Sequence, residues 1–147
     1  TLALVELGAC MGYRVTAASL AEDHPVSKRP EQNHDGFNLT SLKIGPNDFV
    51  VVATQGKRDR EALTSALLSN ADYVAFVGSQ KKTTVLKSQL LEQGISEKQL
   101  QRLSAPAGLD IHAIEPVEIA VSIIGEIVLH RRQAVSATIV NDEPSAI

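Results

Sequence analysis

The sequence predicts a parallel α/β sheet with helices on both faces, and three observations carry that prediction. Two runs, Phe49-Val50-Val51-Val52-Ala53 and residues 71–77 (ADYVAFV), are continuously apolar, as strands covered on both faces are, instead of alternating. Each run is followed by a short turn and then by a segment with helical apolar spacing. The 147 residues are 44% hydrophobic but only 3% aromatic, so the interior is built from aliphatic side chains. Strand, turn and helix recurring in that order give a parallel sheet with right-handed crossovers. The length suits one domain around one core.

Residues 1–11 carry Leu2, Leu4, Val5, Leu7 and Ala9 and stop at Gly12, which reads as a helix, with a strand following at 13–18. A nucleotide-binding βαβ unit would place a strand and a Gly-rich turn ahead of such a helix, and neither stands in this sequence. Residues 19–46 are polar and broken by Pro25, Pro30, Gly36 and Pro46, so a loop is expected, with a short extended piece at 37–42. His24, His34 and Asp35 lack the fixed spacing of a metal site and read as solvated loop residues. Ala18-Ser19 carries no acidic residue of the kind that holds a dinucleotide ribose.

After the first apolar strand, helix 59–70 puts Ala62, Leu63, Ala66 and Leu67 on one face. After the second, helix 80–93 is stopped by Gly94. Ser96 caps a short helix over 96–102, and 103–105 form a brief last strand. Pro106 and Gly108 then force a loop. Pro116 opens the longest helix at a position where its missing N–H costs nothing, and Glu118 is placed to reach back to the free amides. Its apolar residues, from Val117 to Leu129, predict a helix covered on most sides, with Ser122 and Gly125 small enough to let another helix approach. The domain is assigned to 1–132, and 133–147 to a tail or an added edge strand.

A net charge of −3 and a pI near 5.8 exclude nucleic-acid binding by phosphate neutralisation. The single cysteine, Cys10, excludes an internal disulfide and a multi-cysteine metal site; on an apolar helix it reads as a buried, inert thiol. Glu6 interrupts the opening apolar run, which has no basic leader, so neither a secretory signal nor a membrane span is expected. The reading is a soluble, cytoplasmic protein.

In a parallel sheet every strand-to-helix turn lies at the carboxyl edge, so three turns are expected to converge on one crevice. They bring Thr54, Gln55, Gly56, Lys57 and Asp59; Gly78, Ser79, Gln80, Lys81 and Lys82; and Pro106, Gly108, Leu109 and Asp110. Ser79 at a helix start, free amides behind it and two lysines suit a phosphate-bearing ligand. The same residues also read as a turn, a cap and solvated lysines, with Asp59 a helix-start carboxylate and Asp110 a loop-closing one. No Ser/His/Asp or Cys/His arrangement and no spaced ligand set is present, so no catalytic residue and no metal site is assigned.

Residues 105–127 read A-P-x-G-L-D-I and then x-P-x-E-I-A-x-S-I-x-x-E-I, which resembles the C-terminal signature of the XdhC/CoxI family, accessory proteins that mature molybdenum hydroxylases. The resemblance implies a Rossmann-like domain, here lacking its usual first strand and Gly-rich turn. It implies a chaperone that binds molybdenum cofactor, keeps it for sulfuration and delivers it to an apo molybdenum hydroxylase such as a xanthine dehydrogenase or CO dehydrogenase, with a cysteine desulfurase as a further partner. Family members carry T-H-G-x-x-x-D and G-S-R-x-K at the first two turns, where this chain has Gln55 for the histidine and Gln80 for the arginine. Gln55 cannot shuttle a proton as imidazole does, and Gln80 lacks the bidentate phosphate fork. His112 stands where the family often has glycine, and reads as a solvent-facing loop residue. Two alternatives stay open: a domain of an NAD(P)-dependent oxidoreductase, or a ligand-free dimerisation and docking domain. A homo-oligomer, specifically a homodimer, is expected.

Overall fold

The computed structural model describes residues 2–20, 32–56 and 58–142, with side chains described at 2–20, 33–56 and 58–136. His24, Pro25, Pro30, Lys57 and residues 143–147 lie outside them.

The elements run α1 (Leu2–Cys10), β1 (Thr16–Ser19), β2 (Gln32–Asp35), a 3₁₀ turn (Thr40–Leu42), β3 (Phe49–Val52), α2 (Asp59–Leu68), β4 (Tyr73–Phe76), α3 (Gln80–Glu92), α4 (Glu97–Leu100), β5 (Leu103–Ser104) and α5 (Pro116–Asp142). All pairing is parallel, in two sheets: β1 with β2, and β3-β4-β5 with β4 in the middle.

β4 shows why its sequence is apolar without alternation. Val74 and Phe76 point into a core with Leu63, Leu67, Leu86 and Leu90 of α2 and α3, while Tyr73 and Ala75 point the other way, onto Ile123 and Ile127 of α5. Both faces are therefore dry, and every residue of β4 is buried. On the second face Phe49, Tyr73 and His130 make edge-on or tilted ring contacts at 5.5–6.3 Å that seat α5 across the sheet. α1 packs beside α5 on that same face.

Local signals set the helix ends. Ser96 and Gln99 close a capping box on α4. Gly94 turns out of α3 at φ 97°. Glu118 accepts the amides of Ile114 and Glu115 at 2.9 Å each, which lowers its pKa. Arg102, unremarked in the sequence, donates its guanidinium N–H groups to the carbonyls of Leu67, Ser69 and Ala71, satisfying the end of α2.

Four expectations are corrected. The extended piece at 37–42 is a loop and a 3₁₀ turn, and the strand lies earlier, at Gln32–Asp35, in a polar stretch without strand signals that only its pairing with β1 makes extended. Residues 133–142 form no edge strand but continue α5 as helix. α5 is not covered on most sides: Ala120, Ile123 and Ile127 are buried, whereas Val117, Val121 and Leu129 face outward at 58%, 49% and 46% exposure. Cys10 is exposed, because α1 buries Val5 and Gly8 and the last turn carries Cys10 away from that face.

Candidate functional site

The turn after β3 is shaped by left-handed backbone at Gln55, Gly56 and Arg58, with φ of 53°, 91° and 59°. It folds around one carboxylate. Asp59, 6% exposed, accepts from the Thr54 hydroxyl and from the Gly56 amide at 3.0 Å, and its second oxygen meets Lys82 Nζ at 2.5 Å. Lys82 comes from the first turn of α3, so this pair joins the turn after β3 to the turn after β4. Arg58 is turned away and pairs with Glu61 at 2.5 Å on the surface.

Burial raises the Asp59 pKa, but Lys82, the Thr54 hydroxyl and the Gly56 amide outweigh it and hold the carboxyl below its ordinary 3.8. A folded-state value below the unfolded one means that this carboxylate contributes stability fully above the unfolded value, and that the contribution is lost as pH falls through the folded value. Denaturant unfolding at about pH 6 and about pH 2.5 should therefore show a larger loss of stability in the parent chain than in Asp59→Asn. Equal losses would mean that another group sets the acid limb.

At the second turn Ser79 caps α3, its hydroxyl accepting from Lys82 N at 3.2 Å and its carbonyl from Thr83 N at 2.9 Å. The amides of Gln80 and Lys81, ahead of the first intrahelical bonds, are left facing outward with the exposed Lys81 side chain beside them. Gly78 has a structural reason of its own: a Cβ there would run into the Phe76 ring, which is 1% exposed and cannot yield.

The third loop begins as a continuation of the sheet, Ala107 N donating to Phe76 O at 2.9 Å after a cis Ala105–Pro106 bond. α5 then fixes it. Glu126 accepts from the Tyr73 hydroxyl at 2.6 Å, the Ser104 hydroxyl at 2.5 Å and the Gly108 amide at 2.8 Å, and Leu109 N reaches Ser122 O at 3.2 Å. Burial, and then the carboxylate beside it, push the Tyr73 hydroxyl well above its usual pKa, so it stays protonated and donates to Glu126. Gly108 sits at φ 95° against Ser122, and Leu109 lies over Gly125. Ser122 and Gly125 are thus small because the chain's own loop rests on them, not because another helix does. Asp110 and His112 stand in solvent at 88% and 94% side-chain exposure, 3.6 Å apart.

Of the residues named from the sequence, the structure brings Thr54, Gly56, Asp59, Ser79 and Lys82 into one bonded cluster, with Gln55, Gln80 and Lys81 on its exposed rim. Among the described residues, no hydrogen bond or ion pair joins Gly108, Leu109 or Asp110 to that cluster; Pro106, exposed, leads the loop toward α5. Lys57 falls outside the described residues. The sequence reading missed Glu126 and Tyr73, which hold the third loop; an acidic residue facing inward from an apolar helix was the available signal. A cleft lies elsewhere, between β1 and β3, and takes in only Thr54 and Gln55 of the named residues.

A parallel sheet dry on both faces, carrying this loop on its last helix, agrees with what comparison finds: residues 1–127 match the XdhC Rossmann domain. The chain belongs to the XdhC family. A protein of Escherichia coli K12 called uncharacterized protein YqeB is 29% identical over 139 residues, 90% of this chain and 26% of that protein. A probable xanthine dehydrogenase component from Bacillus subtilis 168 is 30% identical over 112 residues, 76% of this chain and 30% of that one. A crystal structure of a xanthine dehydrogenase from Bacillus halodurans superposes with a TM-score of 0.71 at 25% identity, over 89% of this chain and 39% of that chain. The XdhC domain described here thus spans well under half the length of each of these relatives. Rossmann-like architecture is shown by the family match.

Proposed function

We propose that this XdhC domain is an accessory module in xanthine dehydrogenase maturation, and that it holds molybdenum cofactor as cargo for insertion into an apo molybdenum hydroxylase of the xanthine dehydrogenase or CO dehydrogenase kind. The observation that supports this most is the joining of two carboxyl-edge turns by Asp59 and Lys82 beside the outward-facing amides of Gln80 and Lys81. Because Lys82 is neutralised by Asp59, the positive charge offered to a phosphate is that of Lys81, with the α3 N-terminus behind it. The cargo supplies the metal chemistry; the chain's residues bind and orient it. Relatives bearing the name xanthine dehydrogenase support the client class. A cysteine desulfurase is the partner that sulfuration of the cargo would require. Among the described residues no helix is long and apolar enough to cross a membrane.

Calorimetry under anaerobic conditions, with molybdenum cofactor released from a purified molybdenum enzyme, tests the reading. Binding is expected, weakened about tenfold, or ~1.4 kcal/mol, by Lys81→Ala and unaffected by NADH or NADPH. Displacement by a nicotinamide would favour the oxidoreductase reading instead, and absence of any binding would leave a docking domain. For that last reading the outward Val117, Val121 and Leu129 are the surface through which a homodimer would form.

A further inference from the structure

Large aliphatic side chains stand in solvent where the third loop meets α5. Ile114 is 81% exposed, and Leu109, Ile111, Val117 and Val121 are 40–58% exposed. The loop cannot fold its share of them away, because it is pinned at both ends. At its start the Gly108 amide donates to Glu126 at 2.8 Å and Leu109 N to Ser122 O at 3.2 Å. At its end the Ile114 and Glu115 amides donate to Glu118 at 2.9 Å each. Between them His112 is held in the left-handed region at φ 57°. Val117 and Val121, one helical turn apart, carry the patch along α5, and Leu109 lies over Gly125 one turn further on. Clustered aliphatic surface that is exposed and held in a fixed shape adds little to the chain's own core and marks an interaction site.

Charge and position select the partner. Residues 109–121 contain Asp110, Glu115 and Glu118, all exposed, and no lysine or arginine. A patch that is apolar and acidic fits a surface that is apolar and basic. It does not fit itself: an isologous contact centred here would lay Asp110, Glu115 and Glu118 on their own copies, with no cation inside the patch to pair them. The loop also leaves the sheet beside the site already described. Ala107 N is bonded to Phe76 O, and Phe76 ends the strand that leads into Gly78 and Ser79. The patch therefore adjoins the carboxyl edge that carries Gln80 and Lys81.

We propose that this patch is the docking surface for the apo molybdenum hydroxylase, which binds Leu109, Ile111, Ile114, Val117 and Val121 through an apolar surface flanked by lysine or arginine. Docking there brings the receiving enzyme to the edge at which the cargo is held. The inference rests on the cargo reading for the name of the partner, while exposure and charge choose the surface.

Biolayer interferometry tests it, with the 147-residue chain and apo xanthine dehydrogenase purified from cells that make no molybdenum cofactor. Ile114→Asp and Val117→Asp are each expected to weaken binding at least about tenfold. Leu68→Asp, at a 62% exposed apolar position on α2, should leave it unchanged. Glu115→Lys should slow association and flatten its dependence on salt. Calorimetry with molybdenum cofactor on the same variants should match the parent chain. Loss of cofactor binding in the parent would count against the cargo reading alone, whereas patch variants that bind cofactor and still hold the enzyme as the parent does overturn the docking surface alone. No binding of the enzyme by the parent, or equal weakening by Leu68→Asp, overturns it as well. So does sedimentation showing a parent dimer that Ile114→Asp makes a monomer, because a second copy then covers the patch. Weakened binding of a cysteine desulfurase in place of the hydroxylase would assign the surface to that partner and likewise overturn the proposal.

Discussion

Replacing Glu126 by alanine is expected to lower the free energy of unfolding by about 3 kcal/mol, far more than a half-exposed helical position ordinarily costs. The reason is the number of donors that depend on it. Tyr73, itself 3% exposed, would keep a buried hydroxyl with no acceptor, and the Ser104 hydroxyl and the Gly108 amide would lose theirs. Hydrogen bonds to a charged acceptor contribute about 1.5–3 kcal/mol each, and three that share one carboxylate do not add. Glu126→Gln keeps one acceptor oxygen and should fall between the parent and alanine. Pairing Glu126→Ala with Tyr73→Phe removes the orphaned hydroxyl along with its acceptor, so the double variant should cost less than the sum of the two. Guanidinium unfolding of the four chains measures this; an alanine cost within about 0.5 kcal/mol of zero would show that the loop holds its shape without Glu126.

Gly108→Ala is expected to destabilise by a comparable amount, about 2–4 kcal/mol, from two causes that act at one atom. The backbone there has φ 95°, where an L side chain is strained, and the added Cβ would meet the Ser122 hydroxyl, with Ser122 Cβ at 3.1 Å and Ile123 N at 3.2 Å. Neither neighbour can withdraw readily, since Ser122 is 4% and Ile123 2% exposed, and Ile123 N belongs to the helix. Ser122→Gly in the same chain removes the side-chain half of the conflict but not the strain, and should recover part of the loss. If Gly108→Ala unfolds at the parent's denaturant midpoint, the tight seating of the loop on α5 is wrong. Gly94, also at positive φ but with nothing within 4 Å of a Cβ, supplies the comparison: alanine there meets strain alone.

Both predictions concern residues on α5 or touching it, and that helix shows where sequence reading works and where it stops. The apolar strands at β3 and β4, the face of α2, the stop at Gly94 and the starts at Ser96 and Pro116 were all legible, because each depends on residues adjacent in the chain or one helical turn apart. The family signature at 105–127 was legible for a related reason, since loop and helix are contiguous. β2 was not, because nothing in QNHD favours a strand; pairing with β1 makes it one.

The sequence by itself determined the alternation of strands and helices, the parallel class of the sheet and the family, since periodicity, turn residues and a contiguous motif express short-range sterics and burial. Only the tertiary structure decided what each polar or small residue is for. Asp59 is the knot between two turns and Lys82 is used up by it; Ser122 and Gly125 receive the chain's own loop; Glu126 holds three distant donors. Such roles depend on which groups meet across tens of residues, 53 between Tyr73 and Glu126, and a linear pattern carries no record of those distances.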